Sequence, residues 1–259
     1  MPFFVEENSI VRKIWGKSDT ILFIFAGASA EFALNKAVDW LYFTGRLPSD
    51  PIGRLFSTVA YARKIVFSPL EEANKAIDTM RQIHTVVEQN RGAVIPDWAY
   101  RDVLFMLIHY SIASYELLER TLSDAEKEEA YNVLHRIGVR MGLKDLPSTY
   151  VEWLPVREAH LKADLQLSTY TTDLFKQYKK HLGAMRYSVL IEAQKLVVPD
   201  IVKEMLHFNN FSLLKPAVPL YKMSRQLKLD WLVKKILLPA AYKDQIDALD
   251  VRPYRPDGA

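Results

Sequence analysis

The amino-acid sequence predicts an all-α fold. Apolar residues recur at helical spacing along most of the 259 residues, and no run of alternating β-branched residues bounded by turns occurs. Glycine is rare, with nine in the chain, so helix interiors are seldom interrupted. Neither an internal repeat nor a low-complexity linker divides the chain, and we therefore expect one globular domain over residues 1–259.

The most apolar segment covers residues 20–43. It contains Glu31, Lys36 and Asp39, three charged groups that a membrane-spanning helix of about 20 residues would tolerate poorly. We therefore predict one or two buried helices here and not a transmembrane span. The stretch "MPFFVEENSI" is acidic and is followed by no cleavage site, so the sequence predicts no secretory signal, and we expect a cytoplasmic protein.

Two helices should follow in residues 49–92. The first begins after a Ser-Asp-Pro start signal at 49–51 and stays amphipathic as far as Phe67. The second is predicted to begin with Ser68 as its N-cap and to end at the Asn-Arg-Gly sequence of residues 90–92.

Two more helices have readable ends. Asp97 is the predicted N-cap of the first, whose apolar residues surround the helix axis between residues 104 and 112, and this predicts the central buried helix of the fold. Ser123 and Glu126 have the spacing of a capping box, and they predict a second helix that ends at Gly142.

The C-terminal part carries weaker signals. Residues 146–162 are expected to form an irregular connector that leads into a helix. Residues 221–239 predict a basic amphipathic helix with two interpretations: it lies on an anionic membrane surface, or it packs on the domain with its lysines in water. Residues 250–259 are expected to be a loose C-terminus.

Composition and missing motifs exclude several classes of function. The chain has no cysteine, which removes disulfides, iron–sulfur clusters, zinc–thiolate sites and cysteine nucleophiles. The net charge of +3 is too small for nucleic acid to be the main partner. The Gly-rich phosphate loop and the His-Glu-x-x-His and Gly-x-Ser-x-Gly motifs are missing, so nothing in the sequence supports a nucleotide-binding protein or a hydrolase.

Two pairs of residues share helix faces and could take part in chemistry. Arg54 and Thr58 are four residues apart, and the arginine lies one turn into its helix, where a cation opposes the helix dipole unless an acid or anionic ligand pairs with it. Arg81 and His84 are three residues apart; a neutral imidazole can bind a metal, and the arginine could hold a carboxylate on the same face. Taken alone, both pairs also fit ordinary helix residues without a ligand.

Two other histidines are candidates for similar roles. His109 lies among apolar residues in "FMLIHYSIA", and a core histidine with hydrogen-bond partners is the simpler interpretation. Glu204 and His207 have the Glu-x-x-His spacing of a di-iron bundle, but such a bundle needs a second pair and two further glutamates, which the sequence does not supply.

Several segments, in their order along the chain, resemble one family. The chain is similar to the haem-dependent oxygenases that include the rubber oxygenases (latex-clearing proteins) and the MpaB-type oxygenases of fungal meroterpenoid pathways, over about residues 9–240. The most specific feature is a Gly-Arg-Leu-x-x-Thr-x-x-Tyr run at 53–61, followed by Arg-x-x-His at 81–84. The other segments that carry the resemblance are "SIVRKIWGKSDTILFIFAG", "LIHYSIASYELLERTLSDAEKEEAYNVLHRIGVRMGL", "LPSTYVEWL" and "ILLPAAYKDQI".

The resemblance implies a helical domain that encloses a haem-sized pocket and holds haem b between its helices. His84 falls on the family's proximal iron ligand and is therefore the predicted metal ligand, while Arg81 and His109 are further predicted contacts of the cofactor. Arg54 and Thr58 fall on the distal pair, which would donate hydrogen bonds to dioxygen or to a catalytic base.

The family's catalytic base has two candidate counterparts in this chain. Asp39 is the nearest acidic residue, and Glu31 is the second candidate. Ser57 stands where rubber oxygenases carry a lysine that can bind the iron. The resemblance therefore implies Arg54, Thr58 and Asp39 as catalytic residues, without a distal lysine.

The activity implied is oxygenation of a lipophilic, isoprenoid-like small molecule, with dioxygen as the co-substrate, by oxidative cleavage of a carbon–carbon double bond. The alternative is a non-catalytic helical protein that binds haem or a lipid. A further expectation is peripheral contact with a membrane through residues 221–239. The sequence predicts no particular oligomeric state.

Overall fold

The computed structural model describes residues 2–45, 49–226 and 249. All regular elements in these ranges are helices, so the all-α prediction is confirmed. The helices are α1 (Ile10–Trp15), α2 (Ser18–Leu34), α3 (Val38–Phe43), α4 (Pro51–Phe67), α5 (Leu70–Arg91), α6 (Asp97–Leu118), α7 (Asp124–Met141), α8 (Tyr150–Ala163), α9 (Thr169–Val197), α10 (Asp200–Met205) and α11 (Ala217–Gln226).

Helix α2 lies at the centre of the packing, where it contacts both α6 and α9 extensively. A glycine makes the contact with α6 close, because a Cβ atom added at Gly27 would lie 2.2 Å from the ring of the fully buried Tyr110. Two helices are found in residues 20–43; α2 is buried as predicted, whereas Val38 is the one buried residue of α3.

Helix α6 is the predicted central helix, and the structure confirms its burial. Its neighbours α2, α7 and α9 all pack against it, and residues such as Phe105, Ile108 and Tyr110 are inaccessible to solvent. Large aromatic side chains fill the surrounding core; Phe105 meets Trp153 of α8 edge to face, with ring centroids 6.0 Å apart. The core therefore ties α6 to α8 as well as to α2.

The predicted helix ends are partly right. Asp50 caps α4 by accepting a hydrogen bond from the Gly53 N–H at 2.8 Å, and Ser123 with Glu126 forms the predicted capping box of α7. Ser68 is not an N-cap, because it ends α4 in an extended conformation and α5 begins at Leu70 after Pro69. Pro69 has φ −53° and ψ 156°, which is extended and not helical, so this proline is itself the N-cap and the helix starts one residue later than predicted.

Two other features differ from the sequence-based prediction. The N-cap of α6 is Pro96, and Asp97 is the first helical residue, where its charge still favours the helix dipole. Most of the expected connector at residues 146–162 is α8, which starts at a Thr149 cap and continues through Pro155. The tertiary contacts of this helix, including those of Trp153, outweigh the cost of an internal proline.

No helix in the described ranges is long and apolar enough to cross a bilayer. The predicted amphipathic helix of residues 221–239 lies mostly outside the described residues, as does the expected loose C-terminus at 250–259. The division of the chain into one domain over 1–259 stays a prediction.

Candidate functional site

One face of α4 carries the predicted distal pair. The helix period brings Arg54 and Thr58 together, and Arg54 Nη1 donates hydrogen bonds to Thr58 Oγ1 at 3.1 Å and to Ser57 Oγ at 3.0 Å. The two hydroxyls donate in turn to the Arg54 backbone carbonyl, at 2.8 Å for Ser57 and 3.3 Å for Thr58. These side chains therefore form one connected polar patch on α4.

His84 lies on α5, close enough to α4 for the Arg54 charge to act on it. Burial lowers the pKa of His84, the positive charge of Arg54 lowers it further, and the carboxylate of Glu88 opposes both effects. The imidazole packs edge to face against Tyr100 of α6, with ring centroids 5.1 Å apart. His84 Nδ1 is buried and has no hydrogen-bond partner among the described residues. The structure thus presents a neutral imidazole with a ring nitrogen available for a ligand.

The His84 face of α5 continues through Glu88 to Arg91, because residues four and seven positions on lie on the same side of a helix. Glu88 Oε1 accepts hydrogen bonds from the Ile95 N–H at 2.9 Å and from the Tyr100 hydroxyl at 3.3 Å. This carboxylate fixes the start of α6 against the end of α5 and so holds Tyr100 beside His84.

Asp39 joins this site through Arg91. Arg91 Nη2 donates to Asp39 Oδ2 at 2.6 Å, and its guanidinium lies 4.0 Å above the Trp40 ring and 5.4 Å from the Phe43 ring. Arg91 Nη1 is buried and has no hydrogen-bond partner among the described residues. The predicted base candidate therefore lies next to a second arginine on the His84 face.

The remaining predicted cofactor contacts lie elsewhere. The Arg81 side chain is exposed, although it is one turn from His84. His109 lies on α6 near Arg157 and Glu31, with a hydrogen bond to the Val197 backbone, and its Nε2 is buried without a partner in the described ranges. The structure brings Arg54, with Thr58 hydrogen-bonded to it, close to His84, and it pairs Asp39 with Arg91 two turns along α5. It places His109 in a different cluster.

Glu31, the second base candidate, is part of that buried cluster. Its Oε2 accepts hydrogen bonds from Arg157 Nη2 at 2.5 Å and from the Tyr110 hydroxyl at 2.8 Å. Glu31 is only 1% exposed and Arg157 5% exposed. This carboxylate holds the fold together where α2, α6 and α8 meet.

A third polar cluster was not predicted. His160 Nδ1 lies 2.6 Å from Asp102 Oδ1 and 2.9 Å from Asp164 Oδ2. Asn35 Nδ2 also donates to Asp102, at 2.7 Å. The three titratable groups have ligand atoms close enough to hold a metal ion. Their hydrogen bonds also join the ends of α2 and α8 to α6, which is a sufficient structural role.

An apolar cavity of about 280 Å³ lies between α2, α4, α9 and α11. Helix α4 contributes Ile52, Leu55, Phe56 and Val59 to its wall, and none of the predicted site residues lines it. The cavity is thus on the other face of α4 from Arg54 and Thr58. A haem-sized pocket beside His84 stays a prediction.

Comparison with known protein families shows which family the chain belongs to. A model of the family described as "ER-bound oxygenase mpaB/B'/Rubber oxygenase, catalytic domain" matches residues 14–242. The chain belongs to this family. The mpaB/rubber oxygenase relationship confirms the resemblance inferred from the sequence, and it identifies the chain as an oxygenase-type catalytic domain. No curated protein and no solved structure matches the chain.

The residues around His84 fit a haem by their chemistry. An unpartnered, buried nitrogen of a neutral imidazole is a suitable axial donor for iron. Arg54 acts electrostatically on His84, and Arg91 lies two turns along α5 on the His84 face, so both cations are candidates to pair with anionic propionate groups. Of these residues, sequence reasoning missed Glu88, Arg91 and Tyr100. The positions of Glu88 and Arg91, four and seven residues after His84, are a signal in the sequence that could have identified them. Tyr100 is on another helix, and only the tertiary structure shows that it contacts His84.

Proposed function

We propose that the chain is a haem-b-dependent oxygenase in which His84 is the proximal ligand of the iron. The observation that carries the proposal is the buried, unpartnered Nδ1 of His84 on a helix that faces the Arg54–Thr58 pair. Membership in an oxygenase family supports it independently. Bound haem would supply the redox chemistry that activates dioxygen.

The protein's own groups have separate tasks in this proposal. The lowered pKa keeps the imidazole of His84 neutral near pH 7, so its lone pair is available to the metal. Glu88 and the Tyr100 ring hold the histidine-bearing face of α5 against α6. Orientation of a metal-bound histidine by its neighbours is a general requirement for such sites.

On the facing helix, Arg54 offers guanidinium N–H donors, and Thr58 would donate to a ligand by exchanging its long bond of 3.3 Å to the Arg54 carbonyl. Positive charge and hydroxyl donors fixed in advance stabilise negative charge that develops during a reaction, because no reorganisation is needed when it forms. The mutual hydrogen bonds of Arg54, Ser57 and Thr58 keep these donors in place. Asp39 would act as the proton acceptor; Arg91 fixes its carboxylate, and the Trp40 ring in turn packs under the Arg91 guanidinium.

The substrate class proposed is a lipophilic, isoprenoid-like alkene. Trp40 and Phe43 place aromatic surface beside Asp39, and Phe43 is 49% exposed, which gives an apolar ligand something to contact. Oxidative cleavage balances as one alkene plus one dioxygen giving two carbonyl products. No other reactant is needed for that reaction.

Oxygen uptake tests the proposal. Purified protein supplied with haemin should consume dioxygen when squalene or a similar isoprenoid alkene is added, and carbonyl products should form in proportion. We expect Arg54→Gln and Thr58→Val to retain haem but to lose roughly 10- to 1,000-fold of the rate, the usual effect of removing a donor to developing charge. Lys64→Gln, an exposed charge on the same helix, is the matched control and should retain full activity.

The alternative function makes a different prediction in the same experiment. If the chain binds haem but no isoprenoid alkene stimulates oxygen uptake, a non-catalytic haem-binding protein becomes the better account. Asp39 could explain that outcome, because a carboxylate that already pairs with Arg91 is less available as a proton acceptor. A protein that takes up no haemin at all would contradict both functions.

A further inference from the structure

The apolar cavity is separate from the His84 face and has its own recognition features. It lies between α2, α4, α9 and α11, and its contribution from α4 comes from the face opposite Arg54 and Thr58. Most of its wall is aliphatic or aromatic, as in Leu22, Phe23 and Leu190. An apolar cavity of about 280 Å³ is close to the lower end of the ~300–1,000 Å³ range typical of small-molecule sites.

The acidic group on the wall already has partners. Asp19 Oδ1 accepts a hydrogen bond from the Thr20 N–H at 2.8 Å, and Asp19 Oδ2 accepts one from the Tyr221 hydroxyl at 3.1 Å. These bonds join the start of α2 to α11. Both oxygens of the Asp19 carboxylate therefore have hydrogen-bond donors within the protein, and Asp19 does not need a ligand.

Arg186 is also a charged residue of the cavity wall, but it differs from Asp19 in its lack of partners among the described residues. It lies on α9 in line with Val189 and Leu190, at helical spacings that place all three on the cavity side. Its Nε is buried without an acceptor, and the part of the chain that the structure describes offers its guanidinium neither a hydrogen bond nor an ion pair. A buried guanidinium nitrogen without a partner is costly, so an anion at this point would be strongly favoured.

The backbone next to Arg186 also favours an anion. Gly183 has φ 75° and ψ 164°, which is not helical, so α9 is kinked and a second helical segment begins directly after it. Arg186 thus lies in the first turn of that segment, where the helix dipole favours negative charge and disfavours a bare cation. Both the side chain and the local backbone would be stabilised by the same negative group.

We propose that this cavity binds a single-chain amphiphile with a carboxylate head, whose tail fills the apolar space and whose head group pairs with Arg186. The planar guanidinium fork matches a carboxylate with two parallel hydrogen bonds. The cavity volume suits one medium-length tail and not a two-chain lipid. The inference rests on the cavity alone and does not depend on haem binding.

Calorimetric titration of the purified full-length chain with decanoate tests this. Decanoate should bind with one site per chain, and decan-1-ol, which has the same tail without the charge, should bind at least tenfold more weakly. Between octanoate and decanoate, affinity should rise by roughly three- to fourfold per added methylene, because each one buries apolar surface.

Three variants locate the site. Arg186→Gln should weaken decanoate binding at least tenfold and leave decan-1-ol binding unchanged. Lys180→Gln removes an exposed charge from the same helix and should change neither. Ala193→Trp fills the cavity from its own wall and should abolish binding of both probes. Thermal unfolding monitored by circular dichroism shows that each variant is folded.

Three results would overturn the inference. The first is an absence of decanoate binding to the unmodified chain. The second is decanoate binding of equal strength in Arg186→Gln, which would mean that the arginine does not recognise the head group. The third is binding that persists in a folded Ala193→Trp protein, which would place the probe outside the cavity.

Discussion

At the residue scale, Glu31 and Arg157 form an ion pair that is buried in the core. Both side chains are almost fully buried, and each is the main partner of the other. Burial, together with the charge of Glu31, raises the pKa of the Tyr110 phenol well above its usual range. Such a pair is weak evidence of net stability, but removal of one member leaves an uncompensated charge.

Glu31→Gln should therefore be strongly destabilising. It neutralises the carboxylate and leaves the Arg157 guanidinium buried without a counter-charge, at an expected cost of roughly 3–5 kcal/mol. Urea denaturation gives the free energy of unfolding. Glu158→Gln removes an exposed carboxylate that pairs with Lys162 and should hardly change it. Equal stability of the two variants would mean that the buried pair contributes nothing.

His109 predicts a pH dependence of stability. Burial lowers its pKa to about 4, the charge of Arg157 lowers it as well, and Glu31 opposes this. An unfolded histidine has a pKa of ≈ 6.5, so the unfolded state takes up this proton first as the pH falls. The free energy of unfolding should decrease from about pH 6.5 to pH 4, by roughly 3 kcal/mol in total for this group.

His109→Gln supplies the comparison, because glutamine does not titrate. Urea denaturation at pH 7 and at pH 4.5 should show a smaller loss of stability in the variant than in the unmodified protein. An identical loss in both proteins would exclude His109 as the source of the effect.

At this scale the sequence predicts which residues share a helix face, but it does not predict which residues pair between helices. Arg54 with Thr58 followed from a four-residue spacing, and His84 from its motif. The partner of Asp39 did not, because Arg91 is 52 positions away along the chain. Whether two such residues meet depends on packing between helices, which no local spacing encodes.

At the element scale, the crossing of α2 and α6 depends on Gly27. An added Cβ would lie 2.2 Å from two ring carbons of Tyr110, a side chain that is fully buried and cannot move aside. Alanine favours a helix over glycine by about 1 kcal/mol, but overpacking of a core typically costs about 1–3 kcal/mol or more. The clash of the added Cβ with Tyr110 should therefore outweigh the gain in helix propensity.

Gly27→Ala should therefore lower the free energy of unfolding. Gly138→Ala is the matched comparison, since its added Cβ would meet only the ends of the flexible Leu104 and Leu146 side chains, at 2.6 and 2.9 Å. Thermal unfolding of both variants should show the larger loss for Gly27→Ala. A stabilised Gly27→Ala protein would contradict the tight packing of α2 on α6.

Helix existence was predictable from the sequence, and some helix ends were not. The capping box at Ser123 carries its own signal in two side chains and was found correctly. At Ser68 the following proline moves the start of α5, and in α8 the core contacts of Trp153 keep a helix intact across Pro155. Local propensity does not contain those tertiary contributions.

At the scale of the whole molecule, two chemically different sites lie on opposite faces of α4. The polar face carries Arg54 and Thr58 opposite His84, and the apolar face lines the cavity that holds Arg186. Family membership supports oxygenase chemistry for the chain, and our proposal assigns that chemistry to the first site. The second site was not foreseen, because the cavity is formed by helices from distant parts of the chain.

The proposed oxygenase function depends most on iron ligation by His84. The direct measurement is the absorption spectrum of the purified protein after titration with haemin, recorded for the unmodified chain and for His84→Ala. His207→Asn, which alters an exposed histidine, is the control, and His109→Gln tests the other candidate. We predict a Soret band of one haem per chain that is lost or strongly shifted in His84→Ala and retained in the other two variants. A Soret band unchanged in His84→Ala, or lost only in His109→Gln, would contradict the account.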